Sequence, residues 1–520
     1  MKYPARIVFF LILLAVGLGV YRDYGISLDE VAQRSIGAMT LAYVANRLAP
    51  SLLARAPSHL SHVESLNDYP DRDHGVAFEA PAVALEAILG IGDLKNVFMF
   101  RHLLTFLVAL AGIYAVQRMA ERRFSDWRIG LLAALFLVLT PRLFAESFYN
   151  SKDVVFMALF AIAMNTMIAF VLKPGFKTAF LHALASGVAI DVRIMGVLLP
   201  VATVAILMVR LLKRELPTPA TCRALAVYLP AACILVVAMW PRLWSDPIGN
   251  FVEAFRLPHL LGWDIEVLYM GRFVRGTDLP WHYVLVWISI TTPLLYLALF
   301  LVGAFSTLRQ IASRRTHLWK GDEELQDTIF FGLFAAPIAT VILLHSVLYD
   351  GWRLMYFIYP AFLLLAIKGW VSLWGNNSIR TIPRSLLAIV TVISIVHTTV
   401  WMWKAHPFQN VYFNAFAGTG VRFRYDLDYW GLAKRKALEY ILKNDDSEVI
   451  YVRGEGLAFY MLDARDKKRL RYSDDSRYVI TNYRGVQNRD EAKYAKDYDI
   501  FYQIRVGNEV ILSILRRKKT

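Results

Sequence analysis

Long apolar runs alternate with short charged patches through the first 403 residues. That pattern predicts helices packed in lipid rather than a core packed in water. The runs fall at about 7–20, 97–117, 129–145, 154–172, 176–191, 194–212, 224–241, 283–306, 327–347, 354–371 and 385–403. Those beginning at 129 and 176 are the weakest, and loop charges decide them. Arg118, Arg122, Arg123 and Arg128 share one connection, and Lys173 and Lys177 another. Arg210, Lys213, Arg214 and Arg223 mark a third, Arg309, Arg314, Arg315 and Lys320 a fourth, and Arg380 with Arg384 a fifth. Placing all five on the cytoplasmic side requires every intervening span to exist. The expectation is a polytopic α-helical membrane protein with about eleven spans, N-terminus inside and C-terminus outside. The first run is short enough to be a signal peptide, but no small-x-small cleavage site precedes Tyr21, so a retained helix is expected.

The opposite connections are longer and mix acids, aromatics and arginine: 21–96, 141–153, 241–282 and 348–353. The first contains two helical patterns, 28–48 and 80–89, expected to lie along the membrane surface. After residue 404 the periodicity becomes that of a soluble α/β domain. A helix is expected over 433–442 and strands over 448–452, 477–483, 499–506 and 509–515, with Gly507-Asn508 as a hairpin turn. The organisation expected is therefore a transmembrane module, 1–403, followed by an extracytoplasmic α/β domain, 404–520.

Composition agrees. Hydrophobic residues make up 57% and charged residues 19%, and mean hydropathy is +0.42. A formal charge of +15 would suggest nucleic acid, but much of it sits in the alternate short loops and reads as topology instead, which excludes that partner.

Candidate chemistry gathers at one face. Ser27-Leu28-Asp29-Glu30 follows the first span. Its structural reading is a capping box with acids on a helix N-terminus; its functional reading makes Asp29, with Glu30 beside it, a catalytic carboxylate. Asn150-Ser151-Lys152-Asp153 repeats the pattern where another helix begins, with Ser151 expected as the cap and Asp153 as a second catalytic acid. Glu79 stands before Ala80-Pro81 and is either solvated or substrate-binding. Arg142, Lys152, Arg193 and Arg353 lie near the same helix ends. Snorkelling and ion pairing, such as Asp191 with Arg193, are the ordinary explanation for each. Together they suit an anionic substrate with a lipid tail, because guanidinium binds phosphate bidentately.

These residues resemble those of the GT-C glycosyltransferases, nearest the protein-mannosyltransferase and aminoarabinose-transferase superfamily. The resemblance rests on Asp29-Glu30, on Glu79-Ala80-Pro81, and on Thr140-Pro141-Arg142 with Asn150 to Asp153. It continues in Tyr349-Asp350-Gly351-Trp352-Arg353, in "HPFQNVYFNAFAG", and in "DLDYWG" at 426–431. It implies transfer of a sugar, with inversion, from a polyprenyl-phosphate donor to a hydroxyl of a glycan, lipid or protein acceptor, at the outer face of the plasma (inner) membrane. It assigns Asp29 as general base, Asp153 as the second acid and Glu79 as the loop acid. Ala80 stands where aminoarabinose transferases carry a lysine, so another cation must serve the donor phosphate. No cofactor is required, although three acids would accommodate a divalent metal. The rival reading is a secondary transporter or lipid flippase, which internal repeats or acids near mid-membrane would favour; neither is evident.

Overall fold

The computed structural model describes residues 2–51, 65–66, 69, 71–72, 74–260, 265–375, 383–485 and 494–518. Arg380 lies outside them. All eleven apolar runs are helical. α1 is Lys2–Val20, and the two surface helices are α2, Leu28–Leu48, and α3, Glu79–Ile88. Then come α4, Leu94–Phe124; α5, Trp127–Val138; α6, Pro141–Tyr149; α7, Asp153–Leu172; and α8, Phe176–Val192. α9 is Leu198–Leu212, α10 Thr218–Met239 and α11 Pro247–Leu260. α12, Tyr283–Thr291, α13, Leu294–Arg314, α14, Gly321–Leu343, α15, Tyr359–Trp374, and α16, Arg384–Ala405, complete the apolar part. Among the described residues eight helices are long and apolar enough to cross a membrane, nine if α5 and α6 form one bent span. The protein is a multi-pass membrane protein.

Two of the runs are not straight spans, and proline explains both. α5 and α6 meet at 72° across Leu139-Thr140. Thr140 precedes Pro141 and takes an extended conformation, as a residue before proline tends to do. The run at 283–306 breaks at Thr292-Pro293 into α12 and α13 because Pro293 has no amide to continue the ladder. The bend turns α6 into the protein, where eight of its residues, from Pro141 to Tyr149, are buried.

Close approaches of small residues fix the remaining helices. α13 and α15 cross at Gly303 and Gly369, where a methyl group would collide with the carbonyls of Leu365 and Leu299. α2 crosses α3 at Gly37, against the backbone of Glu79.

A two-stranded antiparallel hairpin, β1 (Glu266–Tyr269) and β2 (Arg272–Arg275), follows α11 and was not expected from the pattern. Beyond α16 come α17, Ala433–Asn444, and α18, Ala464–Arg469, with β3, Ile450–Arg453; β4, Leu470–Tyr472; β5, Tyr478–Thr481; β6, Tyr498–Val506; and β7, Glu509–Arg517. They form a mixed sheet in the order β4-β3-β5-β7-β6. The β6–β7 hairpin turns at Gly507, whose φ of +58° lies in the left-handed region that glycine tolerates. α17 buries Ala437, Leu438 and Ile441 in one continuous core with the sheet.

Candidate functional site

The start of α2 separates its two acids by direction. Ser27 is extended at the N-cap, and the Glu30 carboxylate accepts from its amide at 2.7 Å, as in a capping box. The other Glu30 oxygen lies 3.0 Å from His102 Nε2, and the side chain is buried. The Ser27 hydroxyl donates to Tyr149 O at 3.1 Å, which ties α2 to α6. Asp29, one position earlier, turns the other way. Its side chain is 36% exposed, and Arg353 Nη1 donates to it at 2.7 Å.

Lys152, not Ser151, stands at the N-cap of α7 and makes no side-chain cap bond, and the Asn150 side chain serves the first turn instead. Asn150 Oδ1 accepts from the Asp153 amide at 2.8 Å. Ser151 instead donates its hydroxyl to Glu79 Oε1 at 2.7 Å. Asp153 is fully buried and held from two sides, by Arg193 and, at 3.0 Å, by the same Arg353 Nη1 that meets Asp29. The two acids can therefore be no farther apart than the sum of two hydrogen bonds. The expected pair of Asp191 with Arg193 does not form. α8 ends at Val192 and the extended backbone of Arg193 carries its guanidinium to Asp153, while Asp191 accepts from the Val76 amide at 2.6 Å.

Arg353 is the hub. Its Nη2 donates to Asp350 at 3.3 Å, and Asp350 also accepts from Arg484 at 2.9 and 3.0 Å. The guanidinium lies over the rings of Tyr349, at 4.9 Å, and Trp430, at 4.5 Å, which supports a cation stripped of water. Burial pushes the Asp350 carboxyl up, against the pull of Arg484 and Arg353. Asp350 also adopts a φ of +52°, uncommon for a residue with a side chain. Lys152 is half-buried beside this cluster and has no hydrogen-bond or ion-pair partner among the described residues. Burial and the charge of Arg193 push its ammonium down to about 7. Three carboxylates thus face three guanidiniums and one ammonium, so with Lys152 charged the cluster has positive charge to spare for an anion.

Two expected site residues lie next to this cluster rather than in it. Glu79 is buried in an ion pair with Arg101, which also holds Glu86 at 2.9 Å, and reaches the cluster only through Ser151. Arg142 donates to Tyr412 O at 3.1 Å between the rings of Trp287 and Phe413. Because Arg101 is almost wholly buried, Glu79→Gln is expected to cost about 3 kcal/mol by stranding part of that charge. A lowered thermal midpoint in detergent would report it.

Sequence reasoning missed Glu146 and Arg484. Glu146 is fully buried and accepts from Asn150 Nδ2 at 2.8 Å, Tyr356 OH at 2.9 Å and Tyr429 OH at 3.2 Å. An acid four residues before Asn150 in an apolar stretch was a usable signal. Arg484 follows β5 and lies 134 positions from Asp350, with no local pattern to mark it. Among the described residues no three of His, Cys, Asp and Glu converge on a point that would hold a metal; Asp29 and Asp153 share Arg353, and Glu79 is held by Arg101.

Residues 86–240 match the family model described as dolichyl-phosphate-mannose-protein mannosyltransferase. This chain is similar to that family. The matched segment includes Arg142, Lys152, Asp153 and Arg193, but not Asp29, Glu79 or Arg353. It agrees with the resemblance carried by the sequence motifs. Two solved structures are also similar, both of ArnT from Cupriavidus metallidurans. One is bound to undecaprenyl phosphate, at 12% identity and a TM-score of 0.48; the other is the apo state, at 14% and 0.46. Each comparison covers 98% of both chains. No curated protein sequence matches this chain.

Proposed function

We propose that this protein is a glycosyltransferase of the GT-C type, moving a sugar from a polyprenyl-phosphate carrier to an acceptor hydroxyl at the outer face of the membrane. The observation that carries the reading is the sharing of one Arg353 nitrogen by Asp29 and Asp153, with Arg193 and Lys152 alongside. A carboxylate able to take a proton is thereby set among cations able to take a phosphate. The match over residues 86–240 supports the same reading.

A sugar carried on phosphate already has a good leaving group, so the reaction needs no protonated acid. Asp29, the most exposed acid of the cluster, accepts the proton of the acceptor hydroxyl. The hydroxyl oxygen attacks the anomeric carbon as the bond to the phosphate oxygen breaks on the opposite side, which inverts the centre. Arg353, Arg193 and Lys152 stabilise the charge that gathers on the departing phosphate. Asp153 orients the two guanidiniums, while Glu79, Arg142 and Glu30 hold the frame around them. Residues 1–403 form the catalytic module, and 404–520 cover it from outside, contributing Arg484 and Trp430.

Lys152 gives the reaction a pH signature. An ammonium titrating near 7 is charged below that pH and neutral above it, so kcat/KM is expected to fall as pH rises through about 7. Lys152→Arg should remove that alkaline limb, because arginine stays charged. An unchanged profile in the variant would remove Lys152 from phosphate binding.

The test is transfer of labelled sugar from a polyprenyl-phosphate donor in proteoliposomes. One polyprenyl phosphate is expected to appear for each sugar joined to an acceptor. Movement of intact donor across the bilayer, with no new glycosidic bond, would establish the transporter reading instead.

A further inference from the structure

A cavity of about 510 Å³ is lined by none of the residues of the Arg353 cluster. Three elements enclose it: Trp401 near the end of α16, the loop over 411–427, and the turn between β6 and β7. Trp401 stands four residues before the end of an apolar helix whose Val396 and Val400 are exposed, the level at which aromatic side chains mark a membrane surface. One wall is therefore interfacial. Val411, Leu427, Val506 and Val510 add apolar surface to the lining. Arg422, whose guanidinium lies over the rings of Phe423 and Tyr483, and Arg505, which donates to Gln503 Oε1 at 2.7 Å, add its positive charge.

The one acid in the lining, Glu509, is turned to the backbone. Its oxygens accept from the amides of Val421, at 2.8 Å, and Arg422, at 3.4 Å, so it braces the loop. Gly418 and Gly420, with φ of +68° and +65°, let the loop double back. Phe423, 64% exposed, stands at the rim.

We propose that this cavity binds the phosphate-bearing, net-negative head of an amphiphile, with Arg422 and Arg505 on the phosphate and the chain leaving past Trp401 and Phe423. A lining that joins Trp401 and apolar side chains to two guanidiniums is the complement of such a molecule. The occupant would touch the catalytic region through two lining residues. Phe413 supports Arg142, its ring 4.7 Å from the guanidinium. Asn414 Nδ2 donates to Ser289 O at 2.7 Å and Thr292 O at 2.6 Å, holding the break between α12 and α13. This inference does not depend on the sugar-transfer reading.

The full-length protein in phosphatidylcholine nanodiscs, doped with phosphatidylglycerol carrying a diazirine close to its headgroup, tests it. Irradiation is expected to label peptides spanning 411–427 and 505–510. Arg422→Gln with Arg505→Gln should lower that labelling about tenfold, while labelling elsewhere on α16 and the thermal midpoint stay unchanged. Thr419→Trp, which fills the opening but keeps both charges, should lower it as well. Equal labelling of the charge variant, or equal labelling by the matching phosphatidylcholine probe, would overturn the proposal. Loss of labelling on adding inorganic phosphate would also overturn it, showing a site for the free anion rather than the amphiphile.

Discussion

Arg353→Gln is expected to abolish sugar transfer and loosen the packing around the cluster in one step. The guanidinium bonds carboxylates from three separate segments, at Asp29, Asp153 and Asp350, and is 3% exposed. Glutamine carries no charge and fewer donors, so of their ion-pair partners Asp153 would keep only Arg193 and Asp350 only Arg484. Breaking a buried ion pair in this way costs about 3–5 kcal/mol. Losing the cation nearest both acids should lower kcat/KM by at least ~10³-fold. Arg353→Lys should recover part of the stability and little of the rate, since a single ammonium cannot fork to three carboxylates. Thermal unfolding and steady-state transfer, measured on the same preparations, separate the two effects. A Gln variant with wild-type kcat/KM would remove Arg353 from the chemistry.

Asp29→Asn is expected to have the opposite balance, with a large kinetic effect and a small structural one. Asp29 is partly exposed and its one strong partner is Arg353, from which asparagine's carbonyl oxygen can still accept a hydrogen bond. Its removal as a base should lower kcat by roughly 10²–10⁴-fold. Donor binding and the thermal midpoint should stay near wild type. A variant that loses donor affinity while keeping kcat would make Asp29 a binding residue and leave the base to be found elsewhere.

Most of the helical frame was legible because lipid leaves few choices. A backbone in hydrocarbon must bond to itself, so each apolar run of sufficient length had to be helical, and α2 begins and ends where its pattern did. Periodicity could not show where a run bends. Thr140-Pro141 and Thr292-Pro293 interrupt apolar stretches without changing their hydropathy, though the prolines were in plain view.

The site was legible where acids open helices and illegible where tertiary contacts choose partners. Asp29, Asp153, Arg193 and Arg353 do meet. The neighbouring Asp191 and Arg193 do not, because the helix end between them sends one side chain to the Val76 amide and the other to Asp153. Glu30 was legible as half of a capping box, and that contact forms, but its second oxygen meets His102. Glu79, read as solvated or substrate-binding, meets Arg101 and Ser151, and these long-range partners are ones that only the folded chain supplies. Arg484 illustrates the limit: nothing near it in sequence connects the end of β5 to Asp350.

Photolabelling with a polyprenyl phosphate that bears a diazirine on its first isoprene unit shows whether the Arg353 cluster receives the phosphate of a lipid-linked sugar. Labelling should fall on 149–153, 193–197 and 349–356, and should be displaced by unlabelled polyprenyl-phosphate sugar. Saturable labelling confined to other segments, unaffected by that competitor, would contradict it.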